Sequence, residues 1–575
     1  MTTFSVWAPH ARRVDLLLDE ERIAMTDAGA GWWRADAPTA TAADYRFSLD
    51  GGPALPDPRS AWQPLGVHGP SRLVDHASFR WRCDSWSGAE LLGAVIYELH
   101  VGTFTDAGTF DAAISRLDHL TSLGVDFVEL LPVAAFPGTR GWGYDGVFPY
   151  AVQDSYGGPA GLKRFVDACH TRGLRVILDV VYNHLGPDGN VLPRCGPYFT
   201  DRFATPWGQA VNFSDAESDD VRRYFVDNAL MWLREYRFDA LRLDAVHAIV
   251  DTSATHLLEE LAVSVEGLSR ELGRSLWLIA ESDLNDPRVV SAREIGGYGI
   301  DAQWSDDFHH ALHSVVTGET FGYYEDFGAL RQLATALSRG FVYAGNHSKH
   351  RRRRHGRPLP PAMPATRLLG YAQNHDQVGN RARGERIAAL TSSDLVKVAA
   401  ALVLLSPFTP MLFMGEEWAA STPWQYFTDH QDPQLAESVR HGRRDEFKAF
   451  GWDPADVPDP QDPQTMRRSV LDWDELSRSP HDDVLRWHRD LIALRRSRPV
   501  LRSGHFPAVS VDDAARVLTV DYGDLELVAN LGAAAVPLAP NARRVLLSSA
   551  STTGGDVPRL PPASVVIAAR AAASA

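Results

Sequence analysis

Apolar residues recur along this chain in short blocks, and the spacing inside the blocks changes twice. Up to about residue 88 the blocks FSVWAP, RVDLLLDE, GWWRAD and DYRFSLDG alternate or crowd β-formers between turn residues. That pattern predicts a small β-sandwich over residues 1–88. Residues 55–72, LPDPRSAWQPLGVHGPSR, are proline-rich and predict an extended crossing to the next domain. From about residue 93 strand-like runs alternate with stretches at helical spacing. AVIYELHVGTF, VDFVELLPV, RVILDVV, FDALRLDAVH, LWLIAES, IDAQWSDD, RLLGYAQNHD and TPMLFMGEE supply the strands. FDAAISRLDHLTSLG ending in Gly124, LKRFVDACHTRG, DDVRRYFVDNALMWLREY and HLLEELAVSVEGLSREL supply helices between them. Alternation of this kind predicts parallel strands with helical crossovers, and eight repeats predict a (β/α)₈ barrel over residues 89–499. A helix in DVLRWHRDLIALRRSRP closes it. VLTVDY, LELVANL and RRVLLSS then predict a small C-terminal β domain, residues 500–575, with AARAAASA as a frayed tail.

Three polar stretches interrupt the barrel pattern. Residues 138–159, GTRGWGYDGVFPYAVQDSYGGP, are rich in glycine and aromatics and predict a cleft wall. Residues 345–358, GNHSKHRRRRHGRP, are strongly basic and predict a solvated, mobile segment. STPWQYFTDHQDPQLAESVRHGRRDEF, after the eighth run, predicts a second rim element.

The candidate chemistry lies where apolar runs end. In residues 238–247, FDALRLDAVH, strand alternation puts Arg242 and Asp244 on one face and Leu241 and Leu243 on the other. A guanidinium beside a carboxylate keeps it ionised and oriented, as a nucleophile requires, although a structural ion pair has the same pattern. RVILDVVYNH ends in Asn183 and His184, LWLIAES carries Glu281 at its end, and RLLGYAQNHDQ ends in His375 and Asp376. Barrels of this class build their sites at the C-terminal ends of the strands, so these side chains are expected to converge. Glu281 follows the apolar run LWLIA, and partial desolvation there would raise its pKa and leave it a proton donor.

Composition narrows the substrate. The chain has 575 residues and a net charge of 57 minus 73, or −16, which disfavours nucleic acid and anionic membrane and suits a neutral substrate. Sixteen Trp and sixteen Tyr are ample for stacking on sugar rings. Cys83, Cys169 and Cys195 are scattered and odd in number, as reduced thiols are. The start lacks a basic region followed by an apolar core, and no run reaches the length of a membrane span, so a soluble cytoplasmic protein is expected. His100, His184, His247 and His375 fall near strand ends and offer a metallohydrolase as a rival reading, but HxH and HExxH spacings are missing.

The four strand-end segments, in this order, resemble the ordered sequence regions of the α-amylase family, glycoside hydrolase family thirteen. The resemblance implies a retaining α-glycosidase with Asp244 as nucleophile, Glu281 as acid/base and Asp376 as stabiliser of the transition state. His184, Arg242 and His375 would line the same subsite, with Tyr144 of WGYDG as the aromatic platform beneath the ring. The residue matching Asn183 binds calcium in many amylases, yet neither a cofactor nor an obligatory metal ion is expected. The opening FSVWAPHARRVDLLL resembles the immunoglobulin-like modules of branching, debranching and trehalose-forming members. Its Trp7, Trp32 and Trp33 either bind glycan or fill the sandwich core. AESDLNDPRVV, VVYNHLGPDGN, QWSDDFHHALHSVVTGE, NHDQVGNRARGER and PWQYFTDHQDPQLAESVRHGRRDEF are similar to the trehalohydrolase branch of the family. That branch implies maltooligosyltrehalose as substrate and a maltooligosyltrehalose synthase as its functional partner. Asp283, just past Glu281, would then accept hydrogen bonds from a trehalose leaving group, with Asn285 and Asp286 either joining it or capping a helix before Pro287. An α-1,6 debranching or branching enzyme is the alternative, and a silent glycan-binding protein is disfavoured because all three carboxylates are present.

Overall fold

The computed structural model describes residues 1–19, 21–40, 42–449, 457–538, 543–551 and 558–570. At its centre eight parallel strands close a barrel in chain order. They are β1 (Ile96–Leu99), β2 (Phe127–Leu130), β3 (Arg175–Val180), β4 (Ala240–Leu243), β5 (Trp277–Ala280), β6 (Ala302–Trp304), β7 (Leu368–Gly370) and β8 (Thr409–Phe413). Helices cover the outside and side chains fill the inside, so these strands read as continuous apolar runs. Ile96, Phe127, Ile177, Ala240, Ile279, Ala302, Leu369 and Met411 pack into one interior cluster. Two residues further along, the interior turns polar at Glu98, Glu129, Asp179 and Arg242, all buried. Glu98 lies in register with Glu129, and Asp179 with Arg242.

The helices keep the expected periodicity. Ser218–Glu235 buries Val221, Phe225, Ala229 and Trp232 along one stripe. The first helical stretch splits into Phe110–Ile114 and Leu117–Leu123, ended by Gly124 at φ 96°. No helix among the described residues is long and apolar enough to cross a membrane.

Before the barrel, a three-stranded and a five-stranded antiparallel sheet enclose Phe4, Val6, Val14, Leu16, Tyr45 and Phe47. Two tryptophans of this sandwich are held against the barrel and the third within the sandwich. Trp7 is buried edge-on against Tyr198 of the barrel and donates to the Ala30 carbonyl. Trp33 donates to the Ala8 carbonyl and Trp32 to Asp220. Trp7 is thus a core residue, whereas Trp32 and Trp33 keep part of their faces exposed. The proline-rich crossing docks on the barrel, where Trp62 bonds Asp154. After the barrel, a five-stranded sheet completes the described chain, and positions 571–575 of the tail expected to fray lie outside the described residues.

The basic segment departs from expectation. Ala344–Ser348 and Arg353–Gly356 form an antiparallel hairpin instead of a loop, although Lys349, His350, Arg352, Arg353 and Arg354 are exposed to solvent as expected. Its turn is held by Asp326, which accepts from Tyr343 Oη (2.7 Å), Ser348 Oγ (2.5 Å) and the backbone of Lys349 (2.8 Å) and His350 (3.3 Å). Arg351 pairs with Asp283 and the neutral donors of the turn find Asp326, partners that local composition does not reveal.

Candidate active site

Asp244 and Glu281 follow β4 and β5 directly, and one guanidinium lies between them. Arg242 Nη1 donates to Asp244 Oδ1 (2.8 Å), and Nη2 lies 2.9 Å from Glu281 Oε2. Arg242 itself is fully buried, packed 4.2 Å over the Trp304 ring and bonded to Asp179 at 2.7 and 2.8 Å. Asn183 donates to Asp244 Oδ2 (2.7 Å), and the Ala245 amide donates to Glu281 Oε2 (2.7 Å).

The two carboxyls are driven apart in acidity. Burial works against the charge on Asp244, but Arg242, His184 and the Asn183 amide outweigh it and hold its pKa below the usual range. At Glu281 burial wins over Arg242, and the charges of Asp244 and Asp376 reinforce it, so its pKa is pushed well up. One group is therefore an anion and its neighbour a proton donor. That is the division of labour glycosidic cleavage requires.

Around this pair stand the other expected residues. Asp376 opens the turn after β7 with a partly exposed side chain, 3.7 Å from His375 Nε2. Asn374 caps that turn, accepting from the amides of Asp376 and Gln377. His375 stacks on Tyr144 at a ring separation of 5.1 Å. Tyr144 donates to Asp179 (2.6 Å) and meets His375 Nε2 (2.7 Å), which pins its ring at the floor. His184 is buried, held by Asn183 and the Tyr144 carbonyl, and is stacked 4.8 Å from Trp207. The cleft wall is as expected: Trp142 stacks on Trp424 of the rim and donates to the Gln425 carbonyl.

Asp283 lies two residues beyond Glu281, bonded to Arg351 of the basic hairpin (2.8 Å) and 4.0 Å from His247. Asn285 turns away from the cleft, buried and bonded to Asp307 and the Tyr343 carbonyl. Asp286 accepts from the Arg288 amide in a turn, not at a helix cap. His100 is remote from the carboxyls' mouth, its ring nitrogens engaged by Thr103, Gly141 and Tyr156, and burial pushes its pKa down to about 3. The four histidines do not converge, and among the described residues no group of His, Cys, Asp and Glu could hold a metal ion. Asn183 does not fit as a calcium ligand, since its nitrogen faces Asp244 and its oxygen faces His184.

Sequence reasoning missed Glu98, Asp179, Trp207 and Trp304. Glu98 and Asp179 carried a usable signal: an acid inside a buried apolar run (YEL, ILDVV) must be paired.

A closed parallel barrel with two carboxyls of opposed acidity about one arginine at adjacent strand ends defines an α-amylase-type glycosidase. Residues 84–194 match the alpha amylase catalytic domain, and residues 507–567 match a domain of unknown function, DUF3459. A malto-oligosyltrehalose trehalohydrolase of Arthrobacter ramosus is 55% identical over 92% of this chain and 92% of that protein. One from Rhizobium sp. (strain M-11) is 51% identical over 98% and 97%. A crystal structure from Salmonella typhimurium, described as a candidate alpha amylase, superposes with TM-score 0.91 at 38% identity, covering 99% and 97% of the two chains. The chain belongs to the malto-oligosyltrehalose trehalohydrolase family.

Proposed function

We propose that this chain hydrolyses the α-1,4-glucosidic bond next to the terminal trehalose of maltooligosyltrehalose, releasing trehalose and a maltooligosaccharide. The observation that carries the chemistry is the pair of carboxyls set about one guanidinium, Asp244 at 2.8 Å and Glu281 at 2.9 Å from Arg242, with their acidities pushed in opposite directions. In this reading Asp244 attacks the anomeric carbon while Glu281 gives its proton to the departing oxygen. Glu281, now a carboxylate, draws a proton from the water that resolves the glycosyl enzyme, and the α configuration is retained. Asp376 grips the ring hydroxyls as positive charge develops. Tyr144 lies beneath the ring, and His184, Arg242 and His375 line the same subsite.

The leaving disaccharide falls beyond Glu281, where Asp283 is presented by Arg351. The names of the relatives support this choice of leaving group over an α-1,6 branch. The chain divides at about residues 88 and 499 into sandwich, catalytic barrel and C-terminal sheet. A synthase that builds the trehalose end onto a maltooligosaccharide is the partner that supplies substrate.

The test is to incubate the protein separately with maltotriosyltrehalose, maltopentaose and a branched glucan and to resolve the products by chromatography. Free trehalose is expected from the first, with activity lowered about a thousandfold or more in Asp244→Asn and Glu281→Gln. Debranched or newly branched glucan without trehalose would overturn the reading. Asp283→Ala is expected to lower the preference for maltotriosyltrehalose over maltopentaose about tenfold. An unchanged preference would remove Asp283 from substrate recognition.

A further inference from the structure

Beneath the carboxyl pair the barrel interior holds acids that the hydrolytic steps do not use. Glu98 is fully buried in β1, and both its oxygens are turned to one residue. Oε1 accepts from His375 Nδ1 (2.6 Å) and Oε2 from the His375 backbone amide (3.1 Å). On the opposite edge of the ring, Nε2 meets the Tyr144 oxygen at 2.7 Å. Tyr144 has a single proton, and it goes to Asp179 Oδ2 at 2.6 Å. Its oxygen can therefore only accept from His375. Asp179 in turn accepts from Arg242, which donates to Asp244.

We propose that Glu98 is a positioning residue for the glycosidase reaction: it keeps His375 a two-donor imidazolium and so anchors a line of hydrogen bonds running through Tyr144, Asp179 and Arg242 to the nucleophile. A neutral imidazole has one bare nitrogen. Here either bare nitrogen would face an oxygen lone pair, from Glu98 on one side or Tyr144 on the other. The role rests on the sugar-ring subsite assigned above, since Tyr144 is held in place by this ring.

The groups facing His375 come from every element packed on it. They are Glu98 and Glu129 from β1 and β2, Tyr144 from the wall, Asp179 and Arg242 from β3 and β4, Asp376 from its own turn, and His100 after β1. Burial alone would lower the pKa of His375, but Glu98 and Asp376 raise it to about 9. Glu129, in register beside Glu98, has two buried oxygens without a hydrogen-bond partner among the described residues. Burial, with Glu98 and Asp179 nearby, pushes its pKa well up and leaves it neutral. Glu98, with both oxygens accepting from His375, is thus the carboxyl that serves the ring, and the Glu98→Gln amide can occupy its space.

In Glu98→Gln the alkaline limb of kcat/KM is expected to move down by at least about one pH unit, with a loss of about tenfold or more near pH 8 that is largely recovered near pH 5.5. A loss equal at every pH would show a merely structural role and overturn the proposal. Nuclear magnetic resonance of ¹⁵N-histidine-labelled wild-type protein gives a second reading, with the His375 signals assigned by their disappearance in His375→Asn. Both ring nitrogens are expected to carry protons at about pH 7.5. A neutral tautomer there would overturn the proposal even if Glu98→Gln fails to fold. Because this measurement uses no substrate, it stands or falls separately from the choice of glucan.

Discussion

Asp244 and Glu281, proposed as nucleophile and acid, differ only in their immediate neighbours. Both are carboxyls at strand ends beside Arg242, but Asp244 also takes an amide from Asn183 and the field of His184. The acidic limb of activity is therefore expected below the ordinary Asp value of about 4, where Asp244 takes up a proton. The alkaline limb reports whichever of Glu281 and His375 loses its proton first. The same shifts govern stability. His375 is raised from the usual 6.5 to about 9, so its ionised form stabilises the fold fully below about 6.5, and that contribution is lost as pH rises through about 9. The melting temperature of the wild type should fall between those values, and the fall should be shallower in Glu98→Gln. Equal slopes in the two proteins, measured by calorimetry, would contradict this. That Asp244, Glu281 and Asp376 come together was legible in the sequence because each ends an apolar run at a place where barrels put chemistry. Glu98 and Asp179 sit inside such runs, and a single chain does not reveal which distant cation or imidazole pairs with them.

At the scale of elements, the basic hairpin joins the rim to the acid/base loop. Arg351 holds Asp283, His355 bonds the Asp283 carbonyl (2.7 Å), and Asp326 gathers the turn. Asp326→Ala would strand several donors at once, each costing about 1 kcal/mol. Trypsin should then cut within HRRRRHGR much faster than in the wild type, and the preference for a trehalose end should weaken in parallel. Unchanged cleavage rates on gel electrophoresis would show that Asp326 does not hold the turn. The barrel strands were legible because burial on both sides writes an apolar run into the sequence. The hairpin was not, because what orders it is hydrogen bonding to Asp326 and Asp283 from elsewhere in the chain rather than any local periodicity.

At the scale of the whole molecule, Arg59 in the proline-rich crossing binds three parts together. It donates to Tyr150 of the cleft wall and Asp227 of the helix Ser218–Glu235, both at 2.9 Å, and lies 5.6 Å over Trp32 of the sandwich. Arg59→Ala is expected to lower stability by about 1–2 kcal/mol, seen as an earlier urea midpoint, with activity per folded molecule kept. A midpoint equal to that of the wild type would mean the sandwich docks without it. The same long reach governs the interior, where Glu98 and His375 are 277 residues apart. During synthesis Asp244, Glu281 and most of the barrel leave the ribosome before the imidazole of His375. A chain cut short before its seventh strand would lack His375 and Asp376 together, and is expected to hydrolyse nothing.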